Sequence, residues 1–156
     1  MGSYKKFAAM IATSTVVMFG LMYLNTYELD HVFFSQTRLF MALIMGATMA
    51  IIMLAFMQGM YKNKRVNAGI FAGSALVFML ALWLVRSQAT VGDVAWMRAM
   101  IPHHSIAILT SERAHIRDPR VRNLADGIIR AQVEEIGEME RLIAALRAAP
   151  PAPDAP

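Results

Sequence analysis

Histidine and methionine side chains lie close together in the C-terminal half of the chain and could bind a metal ion. His103 and His104 are adjacent, and Met97 and Met100 precede them within two helical turns. At about 100° per residue, these four side chains share one arc of about 120° on a helix. Thioether sulfur favours Cu(I), and neutral imidazole also binds Cu(II) or Zn(II). The spacing therefore predicts a copper site on one face of a helix.

A second amphipathic segment offers further ligands. Its inner face carries Gln132, Glu135 and Met139. In an antiparallel hairpin that folds back near residue 118, the numbers of facing residues add to about 236, which sets His104 opposite Gln132. The metal site that we predict comprises Met97, Met100, His103, His104, Glu135 and Met139.

The same residues also fit a structural role, and the sequence leaves this alternative open. In that interpretation the methionines pack in the core of the hairpin, and the histidines form hydrogen bonds with Glu135 or Gln132. The protein would then be a non-catalytic accessory or assembly subunit of a membrane complex.

Other kinds of site have less support. Glu112 and His115 have the Glu-x-x-His spacing of carboxylate-bridged di-iron bundles. The expected register puts Leu124 and Val121 opposite them, so no second carboxylate completes a di-metal site. The sequence contains no nucleophile elbow, phosphate loop or His-Glu-x-x-His motif. We therefore do not expect an enzyme.

The composition indicates a membrane protein. The 156 residues are 57% hydrophobic and only 17% charged, which is not the balance of a soluble domain. The chain has no cysteine, so disulfides and thiolate metal sites are excluded. The net charge of +4 comes from basic residues beside the apolar runs, so we interpret it as a topology signal and expect no nucleic-acid partner.

Three uncharged apolar runs, residues 7–24, 39–60 and 68–85, are each close to the roughly 20 residues that cross a bilayer. Basic residues precede the first run and crowd the turn between the second and third, whereas the loop between the first and second is acidic. The positive-inside bias places the N-terminus in the cytoplasm and everything after Arg86 outside. We therefore predict three transmembrane helices.

Two helices are expected after these spans. Asp93 can cap a helix that runs to about Ile116, and Asp118, followed by Pro119, can cap a second one to about Ala148. The sequence thus predicts a transmembrane region at 1–86, a metal-binding αα-hairpin with a very tight turn at 87–148, and a disordered Pro/Ala-rich tail at 149–156.

Methionines also recur along the second apolar run, mostly four residues apart. They could form a path for Cu(I), but flexible apolar packing is the interpretation that we favour. The members of this stripe are Met41, Met45, Met49, Met53, Met57 and Met60.

Two strings in the hairpin resemble a known family. Met97-Arg-Ala-Met-Ile-Pro-His-His-Ser-Ile-Ala and the later Gln132-Val-Glu-Glu-Ile-Gly-Glu-Met139 are similar to signatures of the domain of unknown function 305 family, over roughly residues 94–146. Its members look like ferritin-like bundles, and some are linked to periplasmic copper binding and tolerance. The resemblance implies a copper role for the six predicted ligands. Thr110 stands where the family commonly has another methionine.

These observations predict an all-α protein with three transmembrane helices followed by an extracytoplasmic αα-hairpin. Soluble relatives look as if they close a four-helix bundle with two hairpins, so we expect this single hairpin to complete the bundle as a homodimer, helped by the small pair Gly69 and Gly73. The predicted function is copper sequestration, tolerance or hand-off by a periplasmic domain anchored in the bacterial inner membrane. A further membrane or periplasmic protein could be a partner.

Overall fold

The computed structural model describes residues 2–149, and every regular element within them is helical, so the all-α prediction is confirmed. A short 3-10 helix, Leu29–His31, lies between the first two α-helices. The predicted tail lies, apart from Ala149, outside the described residues. The α-helices are α1 Gly2–Leu21, α2 Gln36–Phe56, α3 Lys64–Ser87, α4 Asp93–Arg113 and α5 Pro119–Ala148.

The chain forms two compact units that interleave in sequence. The first unit combines residues up to 22 with residues 36–90, and it contains α1, α2 and α3. The second combines residues 23–35 with residues from 91 onward, and it contains the 3-10 helix, α4 and α5. The loop between α1 and α2 therefore packs as part of the hairpin unit.

The first unit is held together by apolar contacts along α2. α1 and α3 each pack on α2. Phe7, Ala50, Leu54 and Tyr61 form its buried cluster, and Leu54 is fully enclosed. The rings of Phe7 and Tyr61 meet edge to face, with their centroids 5.3 Å apart. This contact joins the start of α1 to the turn between α2 and α3.

Within residues 2–149, two helices, rather than the predicted three, are long and apolar enough to cross a membrane. They are α2 and α3. α1 ends at Leu21, so its uncharged part, residues 7–21, has 15 residues, fewer than the roughly 20 that span the hydrocarbon core. Beyond Leu21 the chain turns, and the Met22 carbonyl accepts a hydrogen bond from the Arg38 guanidinium. The third predicted span is therefore not supported.

Close helix packing in the first unit occurs at a glycine that the sequence pattern did not single out. A Cβ atom on Gly46 of α2 would overlap the side chain of Thr15 on α1, so only glycine permits this approach. A Cβ atom on Gly69 or Gly73 would meet nothing within 4 Å. The expected role of that pair in packing against a second protomer stays a prediction.

The second unit is built on the α4–α5 hairpin. The Asp118 side chain accepts a hydrogen bond from the Arg120 backbone N–H at 2.8 Å, and Pro119 occupies the first turn, so the predicted cap is confirmed. The predicted cap of α4 is wrong, because Gly92 occupies the N-cap position and Asp93 is the first helical residue. α4 ends at Arg113 and not at Ile116. The turn is consequently five residues long, 114–118, and looser than predicted.

The core of the second unit includes residues from the α1–α2 loop. Tyr27 and Phe33 pack against the buried cluster between α4 and α5. That cluster consists of Met97, Ile101, Ile108, Ile136, Met139 and Ile143. The loop therefore completes the apolar core of the hairpin and is not a free connection.

Candidate metal site

A cavity of about 250 Å³ opens between α4 and α5 at the position that the sequence predicted. It contains four of the six predicted ligands, with an aromatic side chain and a leucine at its apolar edge. Its lining residues are Trp96, Met97, His104, Glu135, Glu138, Met139 and Leu142.

His104 occupies the centre of this polar arrangement. Its Nδ1 lies 2.9 Å from the Met100 carbonyl oxygen, which can only accept, so Nδ1 carries a proton. Its Nε2 lies 2.7 Å from Oε2 of Glu135. The amide of Gln132 donates to the same carboxylate oxygen at 3.2 Å. The imidazole is thus fixed in orientation from both sides.

The contact between His104 and Glu135 identifies the nitrogen that can bind a metal. A separation of 2.7 Å between Nε2 and the carboxylate requires a proton between them, on either the ring or the carboxyl group. A metal ion at Nε2 would take the place of that proton. The hydrogen bond from Nδ1 to a backbone carbonyl is the usual outer-shell partner of a metal-binding histidine.

The two methionines of the cavity are buried on opposite helices. Met97 and Met139 are only 5% and 6% exposed, so their thioethers are shielded from water. The side chain of His104 is 13% exposed, whereas that of Glu135 is 52% exposed. An ion would therefore enter past the carboxylate.

The remaining two predicted ligands do not line this cavity. Met100 packs against the hairpin core, and its backbone carbonyl contacts His104. His103 is exposed, and its ring centroid lies 6.0 Å from that of His104 with the ring planes inclined at 64°. The geometry brings Met97, His104, Glu135 and Met139 together and leaves His103 at the edge.

The donor set fits a soft ion better than a hard one. Among residues 2–149, no three His, Asp or Glu side chains come together in a way that could hold a metal ion. Sites for Mg(II) or Ca(II) are built mainly from oxygen ligands, whereas the carboxylates that line this cavity are those of Glu135 and Glu138 alone. Two thioethers and one imidazole nitrogen suit Cu(I).

The observed register differs from the expected one by three residues at His104. His104 pairs with Glu135, whereas the expected register set it opposite Gln132. Side chains lean toward the N-terminus of their helix, which is away from the turn in α4 and toward it in α5. The ends of two facing side chains therefore meet when the residue on α5 lies further from the turn than the residue on α4.

A polar network around Ser105 was not predicted. Ser105 is fully buried, and its hydroxyl accepts a hydrogen bond from the Tyr27 backbone N–H at 2.7 Å. Nδ1 of His31 lies 3.0 Å from the same oxygen, and Nε2 of His31 lies 3.8 Å from Glu28. A buried serine among apolar residues of α4 was the available signal, but its partners lie more than 70 positions away.

Glu112 also contacts the loop, which the sequence did not predict. Its carboxylate accepts a hydrogen bond from the Tyr27 hydroxyl, and this bond, together with the negative charge of Glu112, raises the pKa of the Tyr27 phenol. His115, its neighbour in the Glu-x-x-His spacing, is exposed. Of these two residues, Glu112 therefore helps to hold the loop on α4, through its contact with Tyr27.

Comparison with known proteins supports the family resemblance of the hairpin. Residues 84–154 match the model of the family described as Domain of unknown function (DUF305). This range contains α4, α5 and the candidate site. The description names no activity, so any functional conclusion depends on the geometry.

The chain is also similar to a viral protein whose name describes no activity. It is "Uncharacterized protein L153" of Acanthamoeba polyphaga mimivirus, which is 36% identical over 69 residues. The aligned part covers 43% of this chain and 45% of the relative, so the chain spans less than half of that protein's length. No solved structure matches the chain significantly.

Proposed function

We propose that the protein binds Cu(I) in the α4–α5 cavity and serves copper sequestration, tolerance or hand-off. The observation that carries this proposal is that two buried methionines, Met97 and Met139, line the same cavity as His104. Glu135 supplies a negative charge at the entrance and a fourth ligand, which is an oxygen atom. Met100 and His103 contribute after a change of rotamer or from a second protomer. Cu(II) and Zn(II) bind more weakly, because thioethers are poor ligands for harder ions.

Anchoring in a membrane is part of the same proposal. α2 and α3 are the helices that would cross the bilayer, and α1 would run beside α2 from the α2–α3 turn to the loop before α2. The loop before α2 and the hairpin after α3 belong to one compact unit, as they must if both lie on the same side. The basic turn between α2 and α3 assigns that turn to the cytoplasm and the hairpin to the bacterial periplasm.

A homodimer formed through the hairpins completes the proposal. Leu124, Ile128 and Leu142 lie within about 40° of one another on α5, and they are 64%, 37% and 46% exposed. Trp96 on α4 is 51% exposed beside the cavity that Leu142 lines. A second hairpin on this face would bury an apolar stripe and form a four-helix bundle.

A second candidate function is a structural one. The hydrogen bond of 2.7 Å between His104 and Glu135 is the contact expected if the histidine only stabilises the hairpin of an accessory or assembly subunit. That function requires no bound metal and requires a larger partner to co-purify. Copper content therefore distinguishes the two candidates.

The test is Cu(I) binding by the full chain in a mild neutral detergent, measured by competition with a chromogenic Cu(I) chelator. We expect one Cu(I) per protomer in the parent protein. His104→Ala combined with Met139→Leu should weaken binding by at least about 100-fold, because it removes two of three soft donors.

Two variants outside the cavity provide matched controls. His115→Ala removes an exposed histidine, and Met79→Leu removes a methionine that is 62% exposed in α3. Both should bind Cu(I) as the parent does. Equal affinity in the parent and in the His104/Met139 variant would refute the site and favour the structural function.

A further inference from the structure

The first unit carries a concentrated positive charge without any opposing one. Residues 1–22 and 36–90 contain no Asp or Glu. Five of their seven Lys and Arg residues lie either near the start of α1 or in and just after the α2–α3 turn, and all five are exposed. We call this set the cationic cluster: Lys5, Lys6, Lys62, Lys64 and Arg65.

Hydrogen bonds hold the two halves of the cationic cluster at the same end of the unit. The Tyr4 hydroxyl donates to Oδ1 of Asn67 at 2.9 Å and accepts from the Asn63 backbone N–H at 3.1 Å. The Asn67 amide donates to the Tyr61 carbonyl at 2.7 Å. The start of α1 is therefore held beside the turn, so Lys5 and Lys6 lie at the same end of the unit as the basic residues of the turn.

An apolar groove runs along the same unit. α1, α2 and α3 enclose a groove of about 380 Å³ that is open to the outside along its length. The space is left open because several of its lining residues on α2 and α3, such as Ala47 and Gly73, have small side chains or none. Its walls include Ile11, Thr15, Ala47, Ile70, Gly73 and Val77.

The groove begins at a fixed depth below the cationic cluster. Ile11 follows Lys5 by six residues, and Ile70 follows Lys64 by six residues. At about 1.5 Å per residue, this places the near end of the groove about 9 Å from both sets of charges. The same distance separates a phospholipid phosphate from the upper part of its acyl chains, to within a few ångströms. Charge and groove thus match the two ends of one molecule.

We propose that the first unit binds an anionic phospholipid, with its phosphate at the cationic cluster and one acyl chain in the apolar groove. The inference rests on the membrane placement proposed above, but not on copper binding. An anionic headgroup is specified because five unopposed cations attract it. A long apolar chain is specified because the groove offers hardly any polar surface.

The experiment uses the full chain purified in a neutral detergent and analysed by native mass spectrometry. Phosphatidylglycerol and phosphatidylcholine with identical acyl chains are added at equal concentration. We expect a preference of about tenfold for phosphatidylglycerol in the parent protein. Replacement of all five residues of the cationic cluster by glutamine should reduce this preference to about onefold.

A charge-matched control separates local recognition from net charge. It replaces five exposed arginines of the second unit by glutamine, and it should keep the preference of the parent. These are Arg113, Arg117, Arg130, Arg141 and Arg147. Loss of preference in this control would contradict a site in the first unit.

The groove is tested by a pair of glycine variants on one helix. Gly73→Leu places a side chain in the groove and should reduce retention of phosphatidylglycerol several-fold. Gly69→Leu adds the same side chain one helical turn away, at a residue that does not line this groove, so it should retain the lipid. Equal retention by both variants would show that no acyl chain occupies the groove.

Two further results would overturn the inference. One is an equal preference in the parent and in the five-glutamine variant, once circular dichroism has shown equal helix content. The other is displacement of phosphatidylglycerol by millimolar inorganic phosphate, which would assign the cluster to free phosphate. Fractionation of cells tests the membrane placement separately: a protein absent from the membrane fraction refutes the proposed anchoring, whereas a membrane protein without lipid preference refutes only this inference.

Discussion

Ser105 shows how one residue can connect distant parts of the chain. Its hydroxyl is fully buried, and it bonds to the Tyr27 backbone and to His31, which are 78 and 74 positions away. A hydroxyl enclosed by apolar side chains is costly unless its partners are present. Ser105 therefore fixes the α1–α2 loop on α4 by polar contacts, while Tyr27 and Phe33 add apolar ones.

Ser105→Ala should release this loop. The Tyr27 N–H would lose its partner in a partly buried setting, at a cost of about 1 kcal/mol to the stability of the second unit. Hydrogen exchange at the loop amides should accelerate correspondingly. Ser111→Ala on the same helix serves as the control, because only the backbone carbonyl of Ser111 is used, by Arg122. Unchanged loop exchange in the Ser105 variant would mean that the apolar contacts suffice.

At the scale of the element, signals between neighbouring residues predicted the helices of the hairpin. The features that they did not predict involve contacts between residues far apart in the sequence. Asp118 and Pro119 mark the start of α5 because a cap depends only on adjacent residues. α1 ends at Leu21, and just beyond it the Met22 carbonyl accepts a hydrogen bond from Arg38, 16 positions further along the chain. Apolar composition carries no information on such a contact, so the first run was predicted too long.

The candidate site was predictable to a similar extent. Helical periodicity placed Met97 and Met139 on facing sides of the hairpin, and the structure brings both into one cavity. It could not decide that His103 points outward, since rotamers and local crowding set the direction of adjacent side chains. The contribution of His31 to the second unit required knowledge of the loop's packing.

The start of α5 should make stability depend on acidity. Hydrogen bonds from the Arg120 side chain and backbone hold the pKa of Asp118 below its usual value of 3.8. The carboxylate therefore adds stability above about pH 4, and this contribution is lost as the pH falls through the lowered pKa. Asp118→Asn should be less stable than the parent at neutral pH, with the difference closing in acid. Thermal unfolding between pH 7 and pH 2 measures it, and a constant difference across this range would contradict the assignment.

At the scale of the whole molecule, the exposed side of α5 governs assembly. Leu124→Glu with Ile128→Glu would bury two charges in the proposed interface, so the double variant should be monomeric where the parent is a dimer. Val133→Glu is the control, because Val133 is 56% exposed but lies about 140° around α5 from Ile128. Native mass measurement in mild detergent gives the answer, and a monomeric parent protein would remove the basis for a four-helix bundle.

The interleaving of the two units also constrains the order in which the protein can mature. Residues 23–35 leave the ribosome long before α4, so Tyr27 and Phe33 must wait without their apolar partners while α2 and α3 are made. The last helices to be synthesised then close over a segment that was among the first. A hairpin produced alone, from residue 91 onward, would lack this segment and expose the part of its core that Tyr27 and Phe33 cover, making it prone to aggregation. The first unit has all its residues once residue 90 has been made, whereas the second unit is complete only after α5 has been synthesised.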